Sequence, residues 1–266
     1  MKNKHHLRKF YDSLRDLPAP AFDDGSGRVL IIGDSVRLLD RLPPQSVDLF
    51  LTDPPYSSGG AFRGDRAQST TSKYRMTGTI KQDPEFAGDT RDQRSYERWT
   101  ALWSNAAYHA TRPGGAVVCF TDWRQIAATV DAIQVGGWIY RGLSVWDKTE
   151  GTRPQLGWFR QQCEFMVTAS RGALSRGKPA DGAASPGVFR CFMNGKKKIH
   201  ITEKPLDVLS RVIATRPDWQ TIVDPFGGSA STLIAAQQLD RCALAIETDG
   251  AVAALAIKRL NAAQAA

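Results

Sequence analysis

The stretch TIVDPFGGSAST, residues 221–232, joins an apolar run to a helical pattern through two glycines. Such a turn lets the backbone approach a ligand closely at a helix N-terminus. The next apolar run, residues 243–246, ends in Glu247, 19 residues after Gly228. An acid at that spacing typically accepts hydrogen bonds from a ribose. The stretch therefore predicts an α/β sheet that binds a nucleoside-containing ligand.

The same turn differs from the glycine pattern of dinucleotide sites. In the pattern G-x-G-x-x-G the third glycine allows close packing of the helix on the strand. Ser231 stands where that glycine is expected. A nicotinamide- or flavin-dependent oxidoreductase thus stays open as an alternative, although the missing glycine weakens it.

A second polar cluster, Asp53-Pro54-Pro55-Tyr56, follows the apolar run of residues 47–52. Neither proline can donate a backbone N–H, so the strand has to stop there and the turn is stiff. A carboxylate, a carbonyl and an aromatic ring are then fixed at the carboxyl end of a strand, where open α/β sheets bind ligands. A proline-rich turn with an aspartate cap would explain the same four residues without any function.

The remaining apolar runs set the architecture. Runs of strand length alternate with helical patterns along the chain, which is typical of a mostly parallel sheet. We predict a mostly parallel seven-stranded sheet with helices on both faces, formed by residues 28–266. The run at 29–32 ends at Gly33-Asp34-Ser35, where Asp34 is either a helix N-cap or shares a pocket with Asp53. The seven predicted strands are residues 29–32, 47–52, 116–120, 143–146, 164–168, 221–223 and 243–246.

Composition limits the partners. The formal charge of +8 and a pI of about 9.5 favour an acidic partner, with nucleic acid as the first candidate. The four cysteines and four histidines show no zinc spacing and no disulfide framework, so we predict no metal site. No apolar run of 18 residues and no signal core occur. We therefore expect a cytoplasmic protein with no membrane association.

Three segments have little apolar periodicity. Residues 1–27 are basic and then rich in proline and glycine, which predicts a flexible tail, with an arm on DNA or on a second subunit as the alternative. Residues 57–94 and 170–198 are predicted loops that contact the DNA backbone, although solvated mobile loops would look the same. The proposed DNA-binding side chains are Arg63, Arg66, Lys73, Arg75, Lys196, Lys197 and Lys198.

Taken in order, these motifs resemble those of the β-group DNA amino-methyltransferases, in which the target-base motif precedes the cofactor motif. Asp-Pro-Pro-Tyr resembles the catalytic motif, and the stretch beginning at Asp224 resembles the S-adenosylmethionine (SAM) loop D-P-F-x-G-S-G. Gly33-Asp34-Ser35 and His200-x-Thr-x-Lys204-Pro205 match two further signatures. The resemblance runs from about residue 28 to 260. Ala230 replaces the usual glycine, a change we expect to be tolerated at negative φ.

The resemblance implies a Rossmann-like SAM methyltransferase fold in circularly permuted order, and it implies roles for residues. Asp53 and the Pro54 carbonyl would accept the amine hydrogens of the target base, with Pro55 stiffening the turn and Tyr56 stacking on the flipped-out base. Lys204 would face the methionine carboxylate and Glu247 the ribose. The implied cofactor residues are Asp34, His200, Thr202, Lys204, Asp224, Pro225, Phe226, Gly227, Gly228, Ser229 and Glu247.

The predicted function is therefore methyl transfer from SAM to the N6 amine of adenine in double-stranded DNA. Cytosine N4 is the close alternative, because Asp-Pro-Pro-Tyr occurs with both targets. A catalytically silent nucleic-acid-binding module and an RNA substrate are weaker alternatives. Family inference adds a homodimer, and it leaves the chain either as an orphan methylase or paired with a separate restriction enzyme.

Overall fold

The protein is described by a computed structural model over residues 4–56, 91–152, 156–174, 184–192 and 204–264. These residues contain one nine-stranded sheet with the order β1-β2-β9-β8-β3-β4-β6-β5-β7. The strands are β1 Phe22–Asp23, β2 Arg28–Ile32, β3 Val47–Thr52, β4 Thr111–Thr121, β5 Ile139–Asp147, β6 Cys163–Ser170, β7 Val188–Arg190, β8 Thr221–Asp224 and β9 Cys242–Glu247.

Helices cover both faces of the sheet, as predicted. They are α1 Lys4–Ser13, α2 Ser35–Leu38 with a 3-10 turn Leu39–Arg41, α3 Gln93–Ala110, α4 Ile126–Val135, α5 Leu206–Ala214, α6 Ser231–Gln238 and α7 Gly250–Gln264. Side chains of β3 alternate between two buried clusters, with Leu49 and Leu51 facing α5, α6 and α7, and Phe50 facing α1, α2 and α3. No helix in the described ranges is long and apolar enough to cross a membrane.

Strand direction creates one functional edge. The pairs β2–β9, β9–β8, β8–β3 and β3–β4 are parallel, so the carboxyl ends of these five strands meet at one edge. Strand β6 is antiparallel to β4 and to β5, and it therefore brings its amino end to the same edge. We call this edge, which contains the residues just after Thr52, Thr121 and Asp224 and the start of β6, the site edge.

The strand count and two loop boundaries differ from the sequence prediction. The seven predicted strands all exist, but β1 and β7 extend the sheet to nine strands in the described residues. Both are two or three residues long, too short to leave a periodic signal. Strand β7 lies inside the predicted loop 170–198, and α3 begins inside the predicted loop 57–94. The named basic residues of those two loops lie outside the described residues.

The prediction of a flexible N-terminal tail is wrong for residues 4–27. Helix α1 packs on the sheet through Phe10, which is buried, and through the partly buried Leu7, Tyr11 and Leu14. The Tyr11 hydroxyl donates to Asp23 Oδ1 at 2.7 Å, and β1 pairs with β2. The apolar side chains recur at helical spacing, but the basic residues on the outer face of α1 obscured that pattern.

Replacing Phe10 with alanine tests whether α1 belongs to the folded domain. The Phe10→Ala variant should lose about 3–5 kcal/mol of unfolding free energy, because a buried ring is removed and a cavity remains. Urea unfolding followed by circular dichroism measures the change. The exposed neighbour Arg8 provides the control, since Arg8→Ala should shift stability by less than about 0.5 kcal/mol. Equal stability of the two variants would contradict the packing of α1.

Candidate active site

Asp53 lies at the site edge, directly after β3. Its Oδ2 accepts a hydrogen bond from Lys204 Nζ. Its Oδ1 is buried and has no donor among the described residues. Burial raises the pKa of Asp53 to about 6, against the opposing attraction of Lys204. One carboxylate oxygen is thus fixed, while the other is a buried acceptor without a partner, an arrangement that is costly unless a ligand supplies the donor.

Lys204 belongs to a buried chain of alternating charges. Its Nζ lies 3.3 Å from Glu164 Oε2, in addition to its bond with Asp53. The other Glu164 oxygen accepts from Lys148 Nζ. Burial opposes ionisation, but Lys204 and Lys148 outweigh it and lower the pKa of Glu164. For Lys204 the two carboxylates outweigh burial and raise the pKa. Two acids and two bases therefore compensate each other in charge.

This position of Lys204 differs from the one that the resemblance implied. We expected its ammonium at the methionine carboxylate of the cofactor, whereas it pairs with Asp53 and Glu164. Its Nζ also lies 5.3 Å from the Phe120 ring centroid and 5.9 Å from that of Tyr56. The cation is thus shared between the acid and the ring that were both predicted to contact the target base. The other two residues of that motif, His200 and Thr202, lie outside the described ranges.

Asp224 links the glycine turn to the end of β3. Its Oδ1 accepts from the Thr52 hydroxyl at 2.9 Å and from the Phe226 backbone N–H at 3.1 Å, and its Oδ2 accepts from the Thr232 hydroxyl at 2.6 Å. Burial raises the pKa of Asp224 to about 6, although these three donors oppose the shift. Asp224 therefore joins the turn to the end of β3 and to α6, and it positions the turn.

The glycines of the turn meet two different requirements. A Cβ at Gly227 would lie 2.9 Å from the Ala245 Cβ, so the close packing of the turn against β9 requires glycine at this position. Gly228 has φ +48°, a left-handed conformation that glycine adopts at no steric cost. The Gly228 N–H donates to Glu247 Oε2 at 2.8 Å, and the Asp249 N–H donates to Oε1 at 2.8 Å. Glu247 remains partly exposed, with lone pairs left for ligand hydroxyls.

Arg259 in α7 supports the turn from behind, a role that the sequence did not reveal. Its guanidinium donates to the Ser229 carbonyl at 2.9 Å, to Ser229 Oγ at 3.0 Å and to Ser231 Oγ at 2.8 Å. On the other side, Ser35 Oγ donates to the Pro225 carbonyl. The turn is therefore held by α7 and by the start of α2, and Gly33-Asp34-Ser35 lies beside it.

Asp34 itself acts as a helix cap in this structure. Its Oδ1 accepts from the Val36 N–H at 3.0 Å, and 54% of its side chain is exposed. Asp34 and Asp53 do not follow neighbouring strands, because β9 and β8 separate β2 from β3 in the sheet. Sequence order suggested neighbouring strands, whereas the crossover connections place them apart.

Ala230 does not meet the condition of a negative φ under which alanine was expected to be tolerated. Its φ is +62° and its ψ is +27°, and its side chain is fully buried. An alanine in this left-handed conformation costs about 1–2 kcal/mol. This positive φ explains why the family's loop D-P-F-x-G-S-G usually has glycine at this position.

An aromatic cluster flanks the turn on the α3 side. The Phe226 ring lies 5.0 Å from Trp99 and 5.5 Å from Trp103, measured between centroids, and the Arg91 guanidinium lies 4.0 Å from the Trp99 centroid. Trp103 is fully buried, as an α3 core residue should be. Trp99 therefore forms part of the wall around Phe226.

Large aromatic side chains are exposed at the site edge. Trp123 follows β4 and is 52% exposed, with the Arg124 guanidinium 5.5 Å from its ring. Trp158 and Phe159 lie in the connection from β5 to β6, are 68% and 76% exposed, and contact each other at 5.4 Å. In the described ranges, no cluster of three or more His, Cys, Asp or Glu side chains could hold a metal ion.

Known DNA methylases resemble this chain in sequence and in fold. The sequence profile of a DNA methylase family, N6_N4_Mtase, matches residues 47–258. YubD of Escherichia coli (strain K12), whose name carries a provisional methylase assignment, is 31% identical over 219 residues, 82% of this chain and 83% of YubD. The solved M1.HpyAVI–SAM complex gives a TM-score of 0.62 at 20% identity, covering 88% of this chain and 99% of that chain. The PvuII DNA methyltransferase, described as cytosine-N4-specific, gives 0.63 at 19%, covering 87% and 86%.

The likeness to the two solved structures establishes a Rossmann-like methyltransferase fold, which confirms the predicted fold class. The profile match covers most of the chain, and YubD exceeds 30% identity over most of both sequences. The chain belongs to the N6_N4_Mtase family of DNA methylases. The family predicted from the motifs is thereby confirmed, and the protein is a DNA methyltransferase of the N6/N4 type.

Removing the Asp224 carboxylate tests its role as the tie between turn and strand. Asp224→Ala leaves two buried hydroxyls and one partly buried N–H without their acceptor, so unfolding free energy should fall by about 2–4 kcal/mol. Urea unfolding measures this loss. The exposed Asp131 of α4 is the matched control, because Asp131→Ala removes an acid from the surface and should change stability by less than about 0.5 kcal/mol. A mild effect at Asp224 would contradict the assigned role.

Proposed function

We propose that this protein transfers the methyl group of SAM to the N6 amine of an adenine flipped out of duplex DNA. The observation that carries the proposal is the buried Oδ1 of Asp53, which has no hydrogen-bond partner among the described residues and lies at the same sheet edge as the glycine turn. An exocyclic amine has hydrogens to donate to such an acceptor, and a nucleoside-containing cofactor suits the turn.

The cofactor proposal rests on the turn and on Glu247. Gly227 and Gly228 allow the backbone to approach a ligand, and the partly exposed Glu247 carboxylate can accept from ribose hydroxyls. The solved M1.HpyAVI structure is a complex with SAM, which supports the same ligand here. We assign the sugar side to Glu247 and the methionine side to Phe226, Gly228 and Ser229.

The chemistry follows from the fixed acceptors. SAM supplies a methyl group that its sulfonium already activates. The exocyclic amine is a poor nucleophile because its lone pair is delocalised into the ring. When Asp53 Oδ1 and the Pro54 carbonyl accept the two amine hydrogens, the nitrogen moves toward tetrahedral geometry and its lone pair becomes available. Ionised Asp53 can take the proton that the methylated amine releases, and Tyr56 stacks on the base.

Cysteine chemistry is not needed for this reaction. Burial raises the pKa of Cys119 well above its usual value, and burial also raises that of Cys163. Protonated thiols are weak nucleophiles. These two residues therefore give no support to a cytosine-C5 mechanism through a covalent cysteine intermediate.

The choice of adenine over cytosine N4 rests on how often the resembled family acts on adenine. The PvuII enzyme, described as cytosine-N4-specific, shares this fold, so cytosine N4 is kept as the alternative target. The rival oxidoreductase would bind NAD tightly and SAM not at all, which calorimetric titration of both ligands distinguishes. A homodimer and a separate restriction enzyme remain proposals from the family resemblance.

Expression in a methylation-free host tests the function directly. DNA from cells carrying the protein is sequenced with detection of modified bases, and nucleosides are identified by mass spectrometry. We expect N6-methyladenine within a defined recognition sequence. N4-methylcytosine would select the alternative target, and unmodified DNA in the presence of folded protein and SAM would overturn the proposal.

The pH dependence of transfer tests the role of Asp53. Its carboxyl has to be ionised to accept a hydrogen, and burial raises its pKa to about 6. Activity should therefore be constant above that pH and fall about tenfold per pH unit below it. Asp53→Ala should abolish transfer while the SAM affinity measured by calorimetry stays within about threefold. The reason is that Asp53 is proposed to contact the target base, whereas the glycine turn binds the cofactor. Residual transfer by Asp53→Ala would refute the assignment.

The exposed aromatic pair gives a test of the DNA-facing edge. Stacking of an aromatic side chain on a base contributes about 1–3 kcal/mol, so Trp158→Ala should weaken DNA binding at least about fivefold and leave SAM binding unchanged. Fluorescence anisotropy with a labelled duplex measures the affinity. Val135→Ala is the control, because Val135 is 71% exposed at the far end of α4, where the opposite sheet edge begins. Equal DNA affinities of the two variants would contradict the placement of the DNA-binding surface at the site edge.

A further inference from the structure

We infer that Glu164 and Lys148 are positioning residues for methyl transfer, which act on Asp53 by sharing Lys204 with it. The inference rests on the proposed function, in which Asp53 accepts hydrogens from the target amine. Neither residue belongs to a motif recognised in the sequence. Both are brought to the site edge by the antiparallel pairing of β6 with β4 and β5.

The four charges come from four separate elements. Asp53 follows β3, Lys204 precedes α5, Glu164 is the second residue of β6, and Lys148 follows β5. Lys204 Nζ contacts Asp53 Oδ2 and lies 3.3 Å from Glu164 Oε2, and Lys148 Nζ contacts Glu164 Oε1. The Lys204 and Glu164 side chains are 7% and 13% exposed, so water screens their interaction weakly.

Sharing of the Lys204 ammonium determines how basic Asp53 is. With Glu164 ionised, part of the cation's field is compensated, and Asp53 keeps a higher affinity for a hydrogen or a proton. Without that negative charge, Lys204 would act on Asp53 alone and make it a weaker acceptor. Lys148 has the opposite influence, because its positive charge favours the ionised form of Asp53 from the far end of the chain.

Other ionisable groups near Asp53 are retained in every variant of this comparison. Asp224 at the end of β8 and the Cys119 thiol in β4 interact electrostatically with Asp53, and the Tyr56 ring lies beside Lys204. Burial keeps the Cys119 thiol protonated. A change at Glu164 or Lys148 therefore reaches Asp53 mainly through Lys204 and through the field of the removed charge.

Two substitutions should shift Asp53 in opposite directions. Glu164→Gln removes a negative charge, so the pKa of Asp53 should fall and the acidic limb of the activity profile should move to lower pH. Lys148→Met removes a positive charge, so the pKa of Asp53 should rise and the acidic limb should move to higher pH. We expect shifts of at least about half a pH unit. In Glu164→Gln, kcat at pH 8 should fall at least about tenfold, while the KM for SAM stays within about threefold.

Carbon-13 NMR of labelled aspartate carboxyls measures the Asp53 titration without any DNA, and Asp53→Asn identifies the signal. Arg190→Met is the matched control. It removes a positive charge from the same sheet edge, where Arg190 pairs with Glu150 at 2.9 Å and not with Glu164. The Asp53 titration should stay within about 0.2 pH unit in that variant, because an exposed charge is screened.

Opposite shifts in Glu164→Gln and Lys148→Met would support the inference, since a purely structural role would lower stability without a change of sign. Equal or absent shifts in folded protein would overturn it. If Glu164→Gln fails to fold, Lys148→Met alone decides the matter. The NMR titration also separates the two proposals: a wild-type protein that leaves DNA unmodified contradicts the function, whereas the titration still tests the shared lysine.

Discussion

The buried ion pair between Lys204 and Asp53 is the constraint on which the site depends. An isolated charge would be costly to bury; Lys204 compensates the charge of Asp53, and Glu164 also compensates that of Lys204. Lys204 and Asp53 are 151 positions apart, and their contact fixes the start of α5 against the end of β3. Because Lys204 occupies only Oδ2, the pair also defines which oxygen of Asp53 remains for a substrate.

A second tie links this pair to the glycine turn. Asp224 accepts from Thr52, the residue immediately before Asp53, and also from the first N–H of the turn that follows it. Asp53 and the glycine turn are thus both held in place through the buried carboxylate of Asp224. Transfer needs donor and acceptor atoms aligned within fractions of an ångström, and this shared contact supplies rigidity between the two motifs.

Local sequence signals predicted the parts of the fold that depend on local chemistry. Strand β8, the glycine turn and Glu247 were all recognisable, because glycine, proline and apolar runs constrain the backbone where they occur. The contact of Lys204 with Asp53 was not predicted, because it joins the start of α5 to the end of β3 across 151 positions. Glu164 was missed because its place at the site edge depends on the antiparallel position of β6, which no local pattern specifies. The sequence signal that could have revealed Glu164 is an acidic residue at the start of an otherwise apolar strand. Helix α1 was missed and the positive φ of Ala230 was not predicted, because tertiary packing decides both.

The most direct test of this account is a structure of the protein with a SAM analogue and a DNA duplex containing its recognition site. We predict an extrahelical base whose exocyclic nitrogen lies about 2.7–3.2 Å from Asp53 Oδ1, while Lys204 remains on Oδ2. A complex in which Lys204 leaves Asp53 for the cofactor carboxylate, or in which the amine contacts other acceptors, would contradict the central role of the ion pair.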